Sequence, residues 1–261
     1  MLLTFIFRTP VALVLLATSA AQAEAPLPAT VELTGAHGSL NKGQPQANAL
    51  NLRGTYELGG GDVARAELLQ ETKFGSRGGI AAAAYTKVLG DDWIVAGTLA
   101  AGHGGANWAN TRVDVELTTK WLASKTLLSR VALYRALYDG SRSDSGARVA
   151  LVGYLPGSFV VEGGWLANRS QPGGVNSHQT FGSLTWGSEG EQYIAARFST
   201  GTEAYQSIAA GQQLVGFSSH SVGLNWRRWM ARSWGFIAQA EQYRNPSYER
   251  STLGAGVFVQ W

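Results

Sequence analysis

The chain has 261 residues, a formal net charge of +3 at neutral pH, 33 glycines and no cysteine. Without cysteine there is no disulfide framework and no thiolate metal site, and so small and dispersed a charge argues for no nucleic-acid partner. Charged residues are only 15% of the chain, against about 25% in typical soluble domains, so much of the surface is expected to face something other than water.

Residues 1–23 read as a secretory signal peptide. Arg8 supplies the positive charge, the run from Val11 to Ala17 is the apolar core, and Ala21-Gln22-Ala23 is an A-x-A cleavage site. The apolar run is too short to cross a bilayer as a helix, which takes about 20 residues. Residues 24–261 are then one domain. No later window is long and apolar enough for a membrane helix, the longest run being 80–85. If the domain crosses a membrane, it crosses with strands.

Fourteen segments with strand character follow in order: 31–38, 49–58, 64–73, 80–88, 93–102, 112–121, 127–138, 147–155, 159–168, 179–186, 192–199, 217–227, 234–243 and 252–261. In 112–121, Arg112, Asp114, Glu116, Thr118 and Lys120 share one face, and Val113, Val115, Leu117, Thr119 and Trp121 the other. Its length, about ten residues, is what a tilted strand needs to cross a membrane. The segment 127–138 has no assignable parity, because Arg130 and Arg135 fall on opposite faces.

Tight connections at 59–62, 90–92, 156–158 and 188–190 alternate with longer ones at 41–46, 103–110, 139–145, 169–177, 201–216 and 244–248. Short periplasmic turns and longer external loops mark an outer-membrane barrel. No loop is long enough for a large plug, the longest being 201–216. The predicted fold is all-β, a transmembrane antiparallel up-and-down barrel of about 14 strands, within a range of about 12 to 16 even-numbered alternatives.

The last segment ends on Trp261. Leu253, Ala255, Val257 and Val259 share its apolar face. A terminal strand of this kind is expected to pair with the first, since an open sheet edge in lipid leaves backbone groups unsatisfied. Trp93, Trp121, Trp186, Trp226, Trp229, Trp234 and Trp261 all fall at periplasmic strand ends and are predicted to form an interfacial aromatic girdle.

The opposite parity carries charge of both signs. Arg53, Glu57, Arg65, Glu67, Arg112, Asp114, Glu116, Lys120, Arg148, Glu162, Arg197, Arg227 and Glu241 are predicted to line the lumen, with Glu71 and Lys73. Such a lining suits either a polar conduit of little ion preference or an interior stitched shut by ion pairs.

Residues 220–261 contain His220-Ser-Val-Gly-Leu-Asn-Trp-Arg-Arg-Trp-Met-Ala-Arg-Ser-Trp-Gly-Phe236, then Tyr243, Asn245, Tyr248 and Arg250, then the terminal strand. This resembles the YaiO-type outer-membrane β-barrel family, with Gly223, Trp226, Arg227, Trp229, Trp234 and Gly235 at matching positions. Members usually end in Phe, where this chain has Trp261. The resemblance implies an outer-membrane location and a link to surface exopolysaccharide handling; it brings no catalytic residue and no cofactor.

Two other patterns carry chemistry. His37, His103, His178 and His220 all fall near outer strand ends, without the spacing of a metal site. Ser218 and His220 share a parity and could face lipid as a nucleophile and base. No third member is evident, and lipase barrels place His before Ser. The expected function is therefore a porin-like, non-enzymatic outer-membrane conduit for surface polysaccharide or small solutes. The alternatives are a lipid-modifying barrel enzyme using Ser218 and His220, or a non-conducting barrel that binds a partner through its loops. Expected partners are outer-membrane lipid, the barrel-assembly machinery and polysaccharide or its synthesis and export proteins.

Overall fold

A computed structural model describes residues 28–209 and 212–261; the signal segment 1–23 lies outside the described residues. Wherever the chain alternates large apolar and polar side chains, the backbone is extended and consecutive runs pair as hairpins. The strands are β1 (Ala29–Leu40), β2 (Ala47–Gly59), β3 (Asp62–Lys73), β4 (Ser76–Leu89), β5 (Trp93–His103), β6 (Thr111–Trp121), β7 (Leu127–Leu137), β8 (Ser143–Leu155), β9 (Phe159–Gln171), β10 (Val175–Ser188), β11 (Gln192–Ala209), β12 (Gln212–Ala231), β13 (Trp234–Arg244) and β14 (Glu249–Gln260). Each pairs antiparallel with its chain neighbours, and β1 pairs with β14 to close a fourteen-strand barrel.

Closure runs the length of the first and last strands. Val31 sits opposite Val259, Leu33 opposite Val257, and Leu40 opposite Arg250. Ala29 and Trp261 exchange both backbone hydrogen bonds at 3.1 Å. No strand edge is left open, as lipid requires.

The alternation assigns the faces. Val113, Val115 and Leu117 are exposed on the outer wall while Arg112, Asp114 and Glu116 turn inward. Large apolar residues are likewise exposed on every strand, among them Leu50, Leu52, Leu133, Leu151, Val222 and Leu253. On a soluble protein such a surface would aggregate; here it is the lipid-facing band.

Register settles what the sequence left open in β7. Arg130 lies opposite Thr118 and points inward, buried, whereas Arg135 is on the exposed parity and bonds Ser145 at 3.2 Å.

The expected long loop at 201–216 is mostly strand. Tyr205 pairs with Val215 and Ser207 with Gln213, so β11 and β12 project as a hairpin beyond their neighbours. Glu203, Ala204 and Gln206 are buried on both parities here, and pairing across the hairpin satisfies backbone groups that a loop would leave to water. The connections 139–145 and 169–177 shorten in the same way.

Candidate functional site

With the start of β1, the end of β14 and the short turns at one end, that end is periplasmic, in keeping with outer-membrane barrels. The candidate site is the lumen. The charged side chains expected there fall into two networks, three separate ion pairs and a remainder.

The first network is laid down by register. Glu32 on β1, Arg53 on β2 and Glu67 on β3 are direct cross-strand neighbours. Arg53 bridges both acids, at 3.5 Å to Glu32 and 3.2 Å to Glu67, and Asn51 donates to Glu67 at 2.8 Å. Arg227 of β12 reaches Glu32 across the closure seam. Its guanidinium lies 3.6 Å from the Phe258 ring centroid and 4.9 Å from that of Trp229.

The second network occupies the opposite wall. Arg130 donates to Glu116 at 2.6 and 2.9 Å and contacts Glu162 at 3.4 Å. Arg148 pairs with Glu162 and lies 3.7 Å from Glu116. Two arginines and two glutamates from β6, β7, β8 and β9 thus neutralise one another. One layer outward, Arg112 forks onto Asp114 at 2.6 and 2.8 Å and covers the Tyr134 ring at 4.3 Å. On the other wall Glu241 receives Arg250 at 2.7 Å, and Lys73 pairs with Glu71 at 3.0 Å.

The remainder is Glu57, Arg65, Lys120 and Arg197. Glu57, Arg65 and Arg197 line a cavity of about 450 Å³, and Lys120 sits on the inward parity next to the periplasmic turn. Arg65 and Arg197 have no hydrogen bond or ion pair among the described residues. Their register explains why. Arg65 stands between Thr55 and Ala84, and Arg197 between Ser183 and Gly223. Neither has an acid directly opposite, and the small neighbours leave room on the lumen side.

The interior is narrowed at both ends. At the outer end the connection 104–110 folds in and buries Trp108 completely, with Ile80, Ala100, Ala136 and Tyr138. Lys73 lies over the indole at 4.6 Å. Asn107 donates to the Ser207 carbonyl at 3.0 Å and Arg142 to that of Ala106 at 2.7 Å, tying the loop in place. Glycine makes this approach feasible: a Cβ on Gly78 would overlap the Trp108 ring, and one on Gly104, at φ +117°, would strike the Gly78 backbone. Beside it, Phe74 packs edge-on to Tyr248 at 5.3 Å. Tyr248 and Asn245 both bond Gln206, at 2.9 and 3.4 Å. At the periplasmic end Trp229, Ile237, Phe258 and Tyr193 form a third cluster.

That last cluster corrects the girdle. Trp93, Trp121, Trp186, Trp226, Trp234 and Trp261 are exposed on the outside at periplasmic strand ends. Trp229 is not among them: it is buried inside the barrel, donating to Gln260 at 2.5 Å. It lies three residues from Trp226, so a strand period of two puts the pair on opposite faces. The signal was in the spacing.

Sequence reasoning also passed over Glu32, Arg130, Glu203, Arg250 and Trp108. Glu32 was legible from the flanking Val31 and Leu33. Glu203 and Arg250 fell outside the predicted strand bounds. Nothing local marks Trp108 as inward-turning.

The Ser218 and His220 side chains are both exposed on the outer wall. The imidazole bonds Thr200 Oγ1 at 2.7 Å rather than Ser218. His37 and His178 are likewise engaged with Asn48 and Thr202, each across one strand pair.

Among solved structures the chain is similar to the CymD monoaromatic hydrocarbon channel (7% identity, 91% of this chain and 89% of that chain covered, TM-score 0.58). It is also similar to a bacterial polysaccharide outer membrane secretin (10% identity, 91% and 100% covered, TM-score 0.56). A third is the translocator domain of the autotransporter NalP from Neisseria meningitidis (12% identity, 91% and 90% covered, TM-score 0.53). Identities this low establish the shared barrel fold and nothing finer. No curated protein sequence matches the chain. The YaiO membrane beta barrel domain matches residues 29–206, β1 through most of β11, a stretch that stops short of the C-terminal residues that first carried the resemblance. The chain therefore belongs to the YaiO family of outer-membrane β-barrels.

Proposed function

We propose that this barrel is a narrow, non-enzymatic conduit for small hydrophilic solutes across the outer membrane. One observation carries the reading. The 450 Å³ cavity is lined from Pro28, Glu57 and Glu189 at the periplasmic end to Gly38, Gln206 and Tyr248 at the outer end, along the wall formed by β10–β14 and β1–β3. A barrel serving only as a surface platform has no need of a cavity with charged side chains along it from one end to the other. Its small volume, the inward Trp108 loop and the Trp229 cluster favour single small solutes over a polysaccharide chain.

The enzyme alternative draws little support. A nucleophile needs its base within hydrogen-bond reach and the base needs an orienting partner. The partner found for His220 is a threonine hydroxyl. On the conduit reading the partners are outer-membrane lipid around the apolar band and the machinery that inserts the barrel. Purified protein in liposomes tests the function directly. Osmotic swelling should admit monosaccharides and exclude oligosaccharides above a few units. Swelling no faster than in empty liposomes would refute the reading.

A further inference from the structure

Most lumenal charge is cancelled in place. Glu32, Arg53, Glu67 and Arg227 neutralise one another, as do Glu116, Arg130, Arg148 and Glu162. Arg65 and Arg197 stand outside these networks yet line the same cavity. The carboxylates that act on Arg65 are Glu67, Glu32 and Glu116, and those that act on Arg197 are Glu162 and Glu241. All five are already held by other arginines. Arg53 adds its own positive charge within reach of both sites. The wall between carries the neutralised Glu32, Arg53 and Arg227 and the small polar Thr55, Ser199, Ser221 and Asn225, all lining the cavity.

A guanidinium presents a planar fork of donors matched to an oxyanion, and a charge on a low-dielectric wall concentrates its field in the lumen. Two such forks with no ion pair of their own among the described residues, opposite small side chains, are arranged to receive an anion rather than to stitch the wall. We propose that Arg65 and Arg197, on β3 and β11, supply two anion-binding positions along one cavity, a station that takes the carboxylate or phosphate of a small polar solute. The station sets what the pore prefers, and so it rests on the conduit reading.

The test uses the full-length barrel in planar bilayers under a KCl gradient. Wild type should show a reversal potential favouring chloride, and current that glucuronate reduces but glucose does not. In R65Q/R197Q the preference should move toward potassium, and glucuronate should need at least about tenfold higher concentration for the same reduction. Inorganic phosphate acting like glucuronate would assign the site to any oxyanion; glucuronate acting alone would assign it to sugar acids. Chloride preference and glucuronate sensitivity that survive in the folded double variant would overturn the proposal. Heat-modifiable migration on gels verifies folding, and the single variants serve if the double variant fails to fold. Should the wild type pass no current, the conduit reading falls, and the station is judged by calorimetric titration of glucuronate into the folded protein in detergent. Binding lost in R65Q/R197Q upholds it; no binding to wild type ends it.

Discussion

The two walls of this barrel use the same residue types to opposite ends. On the β6–β9 side, arginines and glutamates meet in a closed quartet capped by the Arg112–Asp114 fork and, toward the outer mouth, by the Trp108 cluster. On the β10–β3 side, a cavity runs along the wall and leaves Arg65 and Arg197 unmatched. Composition does not separate the walls; register does. On the closed wall the quartet, the fork and the indole fill the interior; on the open wall Arg53 meets Glu32 and Glu67 across the strands, yet the cavity runs past them, because the cross-strand neighbours of Arg65 and Arg197 are only Thr, Ala, Ser and Gly. A barrel of this size thus decides between packing and passage by which side chains sit opposite one another.

The largest effect should come from breaking the closed wall. The Arg130 side chain is only 7% exposed and serves both Glu116 and Glu162. Arg130→Ala leaves two largely enclosed carboxylates with Arg148 alone between them and should cost about 3 kcal/mol. Arg197→Ala on the open wall removes no bond and should cost less than about 1 kcal/mol. Denaturant unfolding of both variants in the same lipid measures the difference; equal losses would erase the distinction between the walls.

The outer face of the closed wall supplies the next contrast. Val115 is exposed between inward Asp114 and Glu116. Val115→Arg puts on the lipid side a charge the same strand tolerates one residue away, at a cost of about 2–4 kcal/mol near the midplane. Unchanged folding equilibria would mean that the outer band does not face hydrocarbon.

Trp108→Ala should sharpen the comparison in the other direction. Removing the buried indole empties the outer end of the closed wall while the loop anchors at Asn107 and Arg142 remain. Single-channel conductance should rise with folded yield retained. A conductance equal to wild type would place the narrowing elsewhere.

The smallest effect concerns Glu189, in the periplasmic turn after β10. Glu189 is an exposed residue whose carboxyl loses part of its water at the lumen mouth; that desolvation raises its pKa above the usual range, the Glu57 carboxylate pushes the same way, and Arg227 opposes them. The folded state therefore favours the protonated form. The ionised group costs stability above its unfolded pKa of about 4.3. That cost fades as pH falls below it. Glu189→Gln should be neutral or slightly stabilising at neutral pH and without effect in acid, as read by unfolding at the two pH values.

Much of this molecule was written in its alternation. Which face of β6 meets lipid, the count of fourteen strands, and the exposed indoles at Trp93, Trp121 and Trp261 follow from a period of two and from rim placement. That period is a local property of extended backbone, and it needs nothing from distant chain. Even Trp229 obeyed it, and the misplacement came from reading rim position without parity.

What the sequence could not hold is who meets whom. Arg227 and Glu32 are 195 residues apart and touch only because β1 and β14 close the barrel. The quartet draws one residue from each of four strands, and the inward turn of Trp108 depends on Gly78, on a different hairpin. Such meetings are set by the register of every hairpin together with the stagger of closure. A one-residue slip at any of them would send each inward side chain of a strand to the lipid face. The sequence by itself determined the faces of the wall; the closed sheet alone decided which of its charges are cancelled and which remain for a solute.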